Sequence, residues 1–166
     1  MPSLDGAVVL VTGANGGLGT HFVHEALARG AAKIYATART PRAWDDERVV
    51  PLTLDVTDRA SIAGAVSAAA DVTVLVNNAG ATPPSASLLD VSEADIRANV
   101  ETNFFGPVLL ARAFAPILAA KQGSILATCT PSPAGTPSAA STAPRRPHCG
   151  RPPTRCASSS HPWACT

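Results

Sequence analysis

Residues 8–19 of the chain read VVLVTGANGGLG, an apolar run followed by a glycine-rich turn. The apolar run before the first glycine is typical of a short strand that is buried on both faces. The glycine-rich turn leads directly into a helix-forming segment. In such a strand–turn–helix unit, free N–H groups at the helix start hold the charge of a phosphate. We therefore predict a phosphate-binding turn, the alternative being a purely structural turn.

The three spaced glycines of this turn have separate roles in the prediction. Gly13 allows the chain to turn tightly after the strand. Gly17 lets the backbone approach a pyrophosphate, and Gly19 lets the helix pack close to the sheet. Together they indicate a dinucleotide site at the start of the first helix.

The residues that follow continue to alternate between strand and helix patterns as far as Ala127. This rhythm predicts an α/β fold, with a parallel sheet covered by helices on both faces. The predicted strands are residues 8–11, 33–38, 49–54, 72–76 and 124–127, and the predicted helices are residues 18–29, 58–69 and 92–120.

The bulk composition excludes several function classes. A formal net charge of +1 gives no reason to expect a nucleic-acid partner. We find no apolar run long enough to span a bilayer and no basic segment before the first strand, so we expect no membrane, no secretory signal and a cytoplasmic location. His21 and His24 lie three residues apart on the first helix without further ligands nearby, so we predict no metal site.

The spacing Thr-Gly-x-x-x-Gly-x-Gly resembles that of the short-chain dehydrogenase/reductase family, and three further motifs agree. Asp55 and Val56 follow the third strand, where the family has an acidic residue near the adenine ring. The run NNAG at residues 77–80 matches the motif that supports the sheet and lines the cofactor site. Asn103 matches a helix asparagine that holds a proton-relay water. The resemblance covers about residues 4–127.

The resemblance implies a truncated, doubly wound Rossmann-like sheet of about five strands in the order 3-2-1-4-5. It implies NADP or NAD as cofactor, a small carbonyl or alcohol substrate, hydride transfer, and a homo-oligomer. The cofactor site that we predict consists of Thr12, Gly13, Asn15, Gly17, Leu18, Gly19, Arg39, Asp55, Val56, Asn77, Ala79 and Gly80.

The end of the second strand bears on cofactor choice. An acidic residue there accepts hydrogen bonds from the ribose 2′-OH of NAD, whereas an arginine favours the 2′-phosphate of NADP. The chain has Arg39 at this point with no acidic residue beside it. We therefore predict NADP, the alternative being a solvated surface arginine.

The chemistry implied by the resemblance needs a serine, a tyrosine, a lysine four residues after it, and an asparagine. The lysine lowers the pKa of the tyrosine so that the phenol exchanges a proton near neutral pH. Only the asparagine, Asn103, is present. The single tyrosine is Tyr35 in the second predicted strand, and the last lysine is Lys121, so no Tyr-x-x-x-Lys exists in the chain. We expect the chain to be inactive for this reason.

A change of composition near Ala127 coincides with the missing residues. Every acidic residue lies at or before Glu101, and all four cysteines lie after Ala127, in a tail rich in Pro, Ser and Arg. We predict two regions: residues 1–127 as the dinucleotide-binding domain and residues 128–166 as an irregular tail. Without later strands, the fifth strand becomes an exposed edge with apolar surface, which predicts aggregation or unstable dimers.

Our hypothesis for the tail is a shifted reading frame from about Thr128 onward. One codon choice after the serine codon of Ser141 is ACA GCG CCT CGA AGG CCG CAC TGC, with T before it. Starting one base earlier gives TAC AGC GCC TCG AAG GCC GCA CTG, which encodes Tyr-Ser-Ala-Ser-Lys-Ala-Ala-Leu and contains Tyr-x-x-x-Lys. The rival interpretations are a Pro-rich interaction segment and, less favoured by the cysteine spacing, a disulfide or zinc framework.

Overall fold

The computed structural model describes residues 4–82, 84 and 89–128. They belong to the first of the two units into which the chain divides, Met1–Thr136. Our predictions for the tail, beyond Thr128, lie outside the described residues. The elements are β1 (Val8–Thr12), α1 (Gly17–Ala28), β2 (Lys33–Ala38), β3 (Val49–Thr53), α2 (Arg59–Ala68), β4 (Val74–Asn77), α3 (Glu93–Val100), a π-helical turn (Glu101–Phe105), α4 (Gly106–Ala120) and β5 (Ser124–Ala127).

The strands form one parallel five-stranded sheet in the order β3-β2-β1-β4-β5, which confirms the predicted fold class and strand order. β1 is central, because Val9 pairs with Ile34 of β2 on one side and with Val74 of β4 on the other. The carboxyl ends of β1, β2, β3 and β4 therefore meet at one edge of the sheet, where ligands bind in open α/β folds.

Alternate residues of β1 face opposite sides of the sheet and divide the core in two. Leu10 packs on the side that α2 and α4 cover, together with Ile62, Leu110 and Phe114. Val9 and Val11 pack on the other side, where α1 contributes Val23 and Ala26. Burial on both faces accounts for the continuous apolar sequence of this strand, because neither face meets solvent.

The long helical stretch predicted from residue 92 is interrupted. Residues Glu101–Phe105 form a π-helical turn between α3 and α4. Because a π-helical turn contains more residues than an α-helical one, the side chains of α3 and α4 do not follow one continuous α-helical spacing. Gly106 then packs against Val56: a Cβ at Gly106 would lie 3.0 Å from Val56 Cγ2. The lack of a side chain at Gly106 thus lets the start of α4 lie close to Val56, in the loop after β3.

Our expectation that no segment could span a bilayer needs correction. Residues Glu93–Ala120 form a 28-residue helical stretch that is long and apolar enough by length and composition, with a mean hydropathy of 1.4 in its most apolar window. Leu110, Phe114 and Leu118 of α4 are buried under the sheet. The most apolar window as a whole is 22% buried. Length and composition alone do not establish a membrane span, because core helices of globular proteins pass the same test.

β5 differs from the other strands in its exposure. All four of its residues are exposed, and the side chains of Ile125 and Leu126 are 45% and 47% exposed. The expected exposure of apolar surface at this strand is confirmed for the described residues.

Candidate functional site

A cleft of about 1120 Å³ opens at the carboxyl ends of β1–β4. Most of the predicted cofactor residues meet here, although they come from separate parts of the sequence. The lining residues are Gly13, Asn15, Gly16, Gly17, Leu18, Ala38, Arg39, Thr40, Leu54, Asp55, Val56, Thr57, Asn78, Ala79, Gly80, Ala81, Thr82, Asn99, Thr102 and Asn103.

The glycine turn has the conformation and packing that the sequence predicts. Gly13 and Gly17 have positive φ angles of 67° and 37°, which L-residues rarely adopt. A Cβ at Gly19 would collide with the carbonyl oxygen of Gly13 and lie 2.9 Å from Ala14 Cα, so only glycine fits. A Cβ at Gly16 would meet no atom within 4 Å. The turn thus leaves open space at the start of α1, where backbone N–H groups attract an anion.

Thr12 is buried and does not line the cleft. It connects the turn after β1 to the loop after β4, both of which line the cleft. Its hydroxyl oxygen accepts hydrogen bonds from the backbone N–H groups of Asn78 (2.9 Å) and Ala79 (2.8 Å). The Asn78 side chain donates in return to the Thr12 carbonyl oxygen at 2.8 Å. The turn after β1 and the loop after β4 are therefore one bonded unit. Asn78 was not among our predicted site residues, although it lies in the NNAG run.

Asn77 also lies beneath the cleft rather than in it. It is 4% exposed, and its Nδ2 donates to the Pro107 carbonyl oxygen at 3.4 Å, linking β4 to α4. Its Oδ1 is buried without a hydrogen-bond partner among the described residues. Asn77 is thus placed to support the sheet.

Asp55 and Val56 form the wall after β3. Asp55 Oδ1 accepts from the hydroxyl and the backbone N–H of Thr57, at 2.7 and 2.9 Å. These two hydrogen bonds, the hydroxyl first, lower the pKa of Asp55 below its usual value, and the nearby charge of Arg39 adds to them. Asp55 is therefore a fixed, ionised acceptor on the cleft wall.

Asn103 lies in the π-helical turn and faces the loop after β4. Its Oδ1 accepts from the Ala81 N–H at 2.8 Å, and its Nδ2 donates to the Ala81 carbonyl oxygen at 2.7 Å. Asn99, one helical turn earlier, also donates to that carbonyl oxygen at 2.8 Å and accepts from Asn103 Nδ2 at 3.0 Å. The two asparagines hold the loop backbone at the cleft. Asn99 was missed because one-turn spacing of polar residues is common on exposed helices.

Arg39 lies at the end of β2 with an exposed side chain. Among the described lining residues it is the one cation, and none of the described residues forms a hydrogen bond or salt bridge with its guanidinium. The next residues are held by the glycine turn, because Asn15 Nδ2 donates to the Thr40 carbonyl oxygen at 2.7 Å. An anionic group in this part of the cleft would find Arg39 available.

The cleft fits an extended anionic molecule. It has a glycine cradle at a helix start, a cation at the end of β2, and amide side chains beside β4 and in the π-helical turn. Within residues 4–82, 84 and 89–128, no group of three or more His, Cys, Asp and Glu side chains could hold a metal ion. Among the described residues that line the cleft there is no serine, tyrosine or lysine. Tyr35 lies away from it, bonded to Lys33 and Asp71.

A family model described as short chain dehydrogenase matches residues 7–143. Among curated relatives, an NADP-dependent 3-hydroxy acid dehydrogenase from Schizosaccharomyces pombe is 32% identical over 141 residues, which cover 76% of this chain and 54% of the relative. The chain thus spans about half the length of this relative. The family match continues beyond residue 127, where we expected the resemblance to end.

Solved structures agree with the sequence match. A short chain dehydrogenase from Burkholderia cenocepacia in complex with NADP has a TM-score of 0.68 and 38% identity, over 76% of this chain and 53% of that one. A metagenomic short-chain oxidoreductase in complex with NADP also has a TM-score of 0.68, at 32% identity, over 79% of this chain and 65% of that one. Since the family model covers most of its length, the chain belongs to the short chain dehydrogenase family.

Proposed function

We propose that the chain binds a nicotinamide dinucleotide in the cleft and represents the cofactor-binding portion of an NAD(P)-dependent oxidoreductase. The observation that carries this proposal is the glycine turn at the start of α1, open to the cleft at Gly16 and closed to any side chain at Gly19. When bound, the nicotinamide supplies a hydride donor or acceptor for a carbonyl or alcohol carbon. The chain's own residues bind and orient it.

Each part of the cleft has a role in this proposal. The N–H groups at the start of α1 hold the pyrophosphate, and Asp55 and Val56 flank the adenine. Ala79 and Gly80 lie against the nicotinamide half, on a loop that Asn103 fixes through Ala81. The two relatives crystallised with NADP support this assignment by their similar folds.

We propose NADP rather than NAD as the preferred cofactor because Arg39 places a guanidinium at the end of β2 that forms no hydrogen bond or salt bridge among the described residues. Hydrogen bonds between charged groups contribute about 1.5–3 kcal/mol, and solvent exposure reduces this. Arg39→Ala should therefore weaken NADPH binding about tenfold and leave NADH binding nearly unchanged. Fluorescence titration of both nucleotides measures this, and an equal loss for both would show that Arg39 does not select the 2′-phosphate.

We propose that the chain binds NADPH without turning over substrate, since Tyr-x-x-x-Lys is absent from its sequence. The test pairs NADPH titration with a turnover assay on a panel of carbonyl substrates. Binding without turnover supports a non-catalytic dinucleotide-binding chain. Clear turnover would contradict the loss of the acid/base residues, and a chain with neither binding nor a cooperative melt would contradict the proposal altogether.

The shifted reading frame remains our hypothesis for the missing catalytic residues. Resequencing the gene across the Ala127 codon tests it directly, because the hypothesis requires codons that give Tyr-x-x-x-Lys one base earlier. Expression of the gene with the reading frame shifted only after the Ala127 codon should restore turnover, and a Tyr-to-Phe change in the restored motif should abolish it again. A gene whose codons cannot encode that motif would end the hypothesis.

A further inference from the structure

We propose that Asn15 is a positioning residue for selection of the 2′-phosphate, acting on Arg39 through the backbone of residues 40–42. The inference rests on the proposed cofactor. The Asn15 amide joins the glycine turn to the segment after β2 at two points. Its Nδ2 donates to the Thr40 carbonyl oxygen at 2.7 Å, and its Oδ1 accepts from the Arg42 N–H at 3.4 Å.

The same segment is held on its other side by α1. The Arg42 guanidinium lies 4.2 Å from the centre of the Trp44 ring, and its Nη2 lies 3.5 Å from the Thr20 hydroxyl oxygen. Trp44 in turn packs edge-on against His24, with ring centres 5.8 Å apart. These contacts direct Arg42 toward α1, and Arg42 does not line the cleft. The segment is therefore fixed at both flanks.

Arg39 has no hydrogen-bond partner among the described residues, although its charge acts on nearby Asp55. The position of its guanidinium therefore depends strongly on the backbone at Arg39 and Thr40. The carbonyl that Asn15 holds is that of Thr40, the residue next to Arg39. Loss of the Asn15 amide would let this backbone move and would spread the positions of the guanidinium. The effect should fall on a 2′-phosphate and spare the rest of the nucleotide.

Two nucleotides separate these contributions. Adenosine 2′,5′-diphosphate carries the 2′-phosphate and one 5′-phosphate, whereas ADP lacks the 2′-phosphate and carries two phosphates at the 5′ position. Binding of each is measured by calorimetry on the full chain. Because one exposed hydrogen bond contributes about 0.5–1.5 kcal/mol, Asn15→Ala should weaken binding of the 2′,5′-diphosphate about threefold to tenfold. Binding of ADP should change less than about twofold. Ser67→Ala removes another exposed side-chain bond, to the Ala63 carbonyl on α2, and should change neither affinity.

A double-mutant cycle shows whether Asn15 acts through Arg39. In an Arg39→Ala background, Asn15→Ala should cause no further loss of affinity for the 2′,5′-diphosphate. A full further loss there, or an equal loss for ADP, would overturn the inference, because Asn15 would then act on the nucleotide directly. If the unaltered chain binds neither nucleotide, the proposed function falls and the inference falls with it.

Hydrogen exchange without nucleotide tests whether the Asn15 side chain holds the segment of residues 40–42. Asn15→Ala should speed hydrogen exchange at the Arg42 amide about threefold to tenfold, while exchange in β1 stays unchanged. Gln122 is the one described non-glycine residue with a positive φ, so Asn15 has an ordinary backbone conformation. Alanine at position 15 should therefore cause no backbone strain. Unchanged exchange at Arg42 would show that Asn15 does not hold the segment and would overturn the inference.

Discussion

β1 and β5 belong to the same parallel sheet but have opposite surroundings. Val9, Leu10 and Val11 of β1 are at most 1% exposed, because helices cover both faces and a strand pairs along each edge. Ile125 and Leu126 of β5 are nearly half exposed despite an apolar sequence like that of β1. The apolar run alone therefore does not determine burial. The cleft lies at the end of β1, in the fully buried part of the sheet.

Replacing a leucine by alanine should destabilise the chain far more in β1 than in β5. Leu10→Ala removes a fully buried side chain and should lower the free energy of unfolding by about 2–5 kcal/mol. Leu126→Ala, at a half-exposed position, should cost about 1 kcal/mol or less. Urea unfolding followed by circular dichroism measures both. Equal losses would mean that β5 is packed as firmly as β1.

Two glycines, one in the turn at the cleft and one on α2, should respond differently to replacement by alanine. Gly19→Ala places a methyl group 2.8 Å from the Gly13 carbonyl carbon and should cost about 1–3 kcal/mol of stability. NADPH affinity should fall more than about tenfold because the turn must open. Gly64→Ala, where a Cβ would meet nothing within 4 Å, should stabilise α2 by about 0.5–1 kcal/mol and leave binding unchanged. Normal NADPH binding by the Gly19 variant would argue against the turn as the phosphate site.

A smaller, pH-dependent effect belongs to the cleft wall. The Thr57 hydrogen bonds hold the pKa of Asp55 below its usual value, so ionised Asp55 stabilises the folded chain above the unfolded pKa of about 3.9. That stability is lost as the pH falls through the lower folded pKa. Asp55→Asn should be less stable than the unaltered chain at pH 6, and the difference should shrink toward pH 3. Thermal melts across this range measure it, and a constant difference would contradict the prediction.

The smallest effect on stability is expected at the exposed strand. Ile125→Thr keeps a β-branched side chain but reduces apolar surface, so the free energy of unfolding should change by no more than about 0.5 kcal/mol. Self-association, followed by light scattering against concentration, should decrease. Unchanged association would show that this surface of β5 does not drive it.

The sequence predicted local structure well wherever pattern and turn chemistry agree. β2 and β5 have the predicted bounds, and α1 begins one residue before its predicted start. The π-helical turn could not be predicted, because its backbone depends on tertiary contacts such as Asn103 with Ala81. The resemblance named Asn77 for the site, whereas the cleft is lined by its neighbour Asn78.

Side-chain hydrogen bonds between segments distant in the chain could not be predicted from the sequence either. Thr12 was predicted as part of the glycine turn, and its hydroxyl instead joins two loops through the amides of Asn78 and Ala79. The bridge from Asn15 to Thr40 is equally non-local. Such pairs depend on the register between distant strands, which composition and periodicity do not specify.

The central place of β1 also has a consequence during synthesis on the ribosome. One edge of β1 pairs with β2, which follows it closely in the chain. The other edge can pair only after β4 has been synthesised. The Val8 N–H, for example, donates to the Thr73 hydroxyl oxygen across a separation of 65 residues. At about 5–20 residues per second, the most apolar strand therefore keeps an open edge for several seconds. This nascent stage, more than the finished domain, is where chaperone binding would protect the chain.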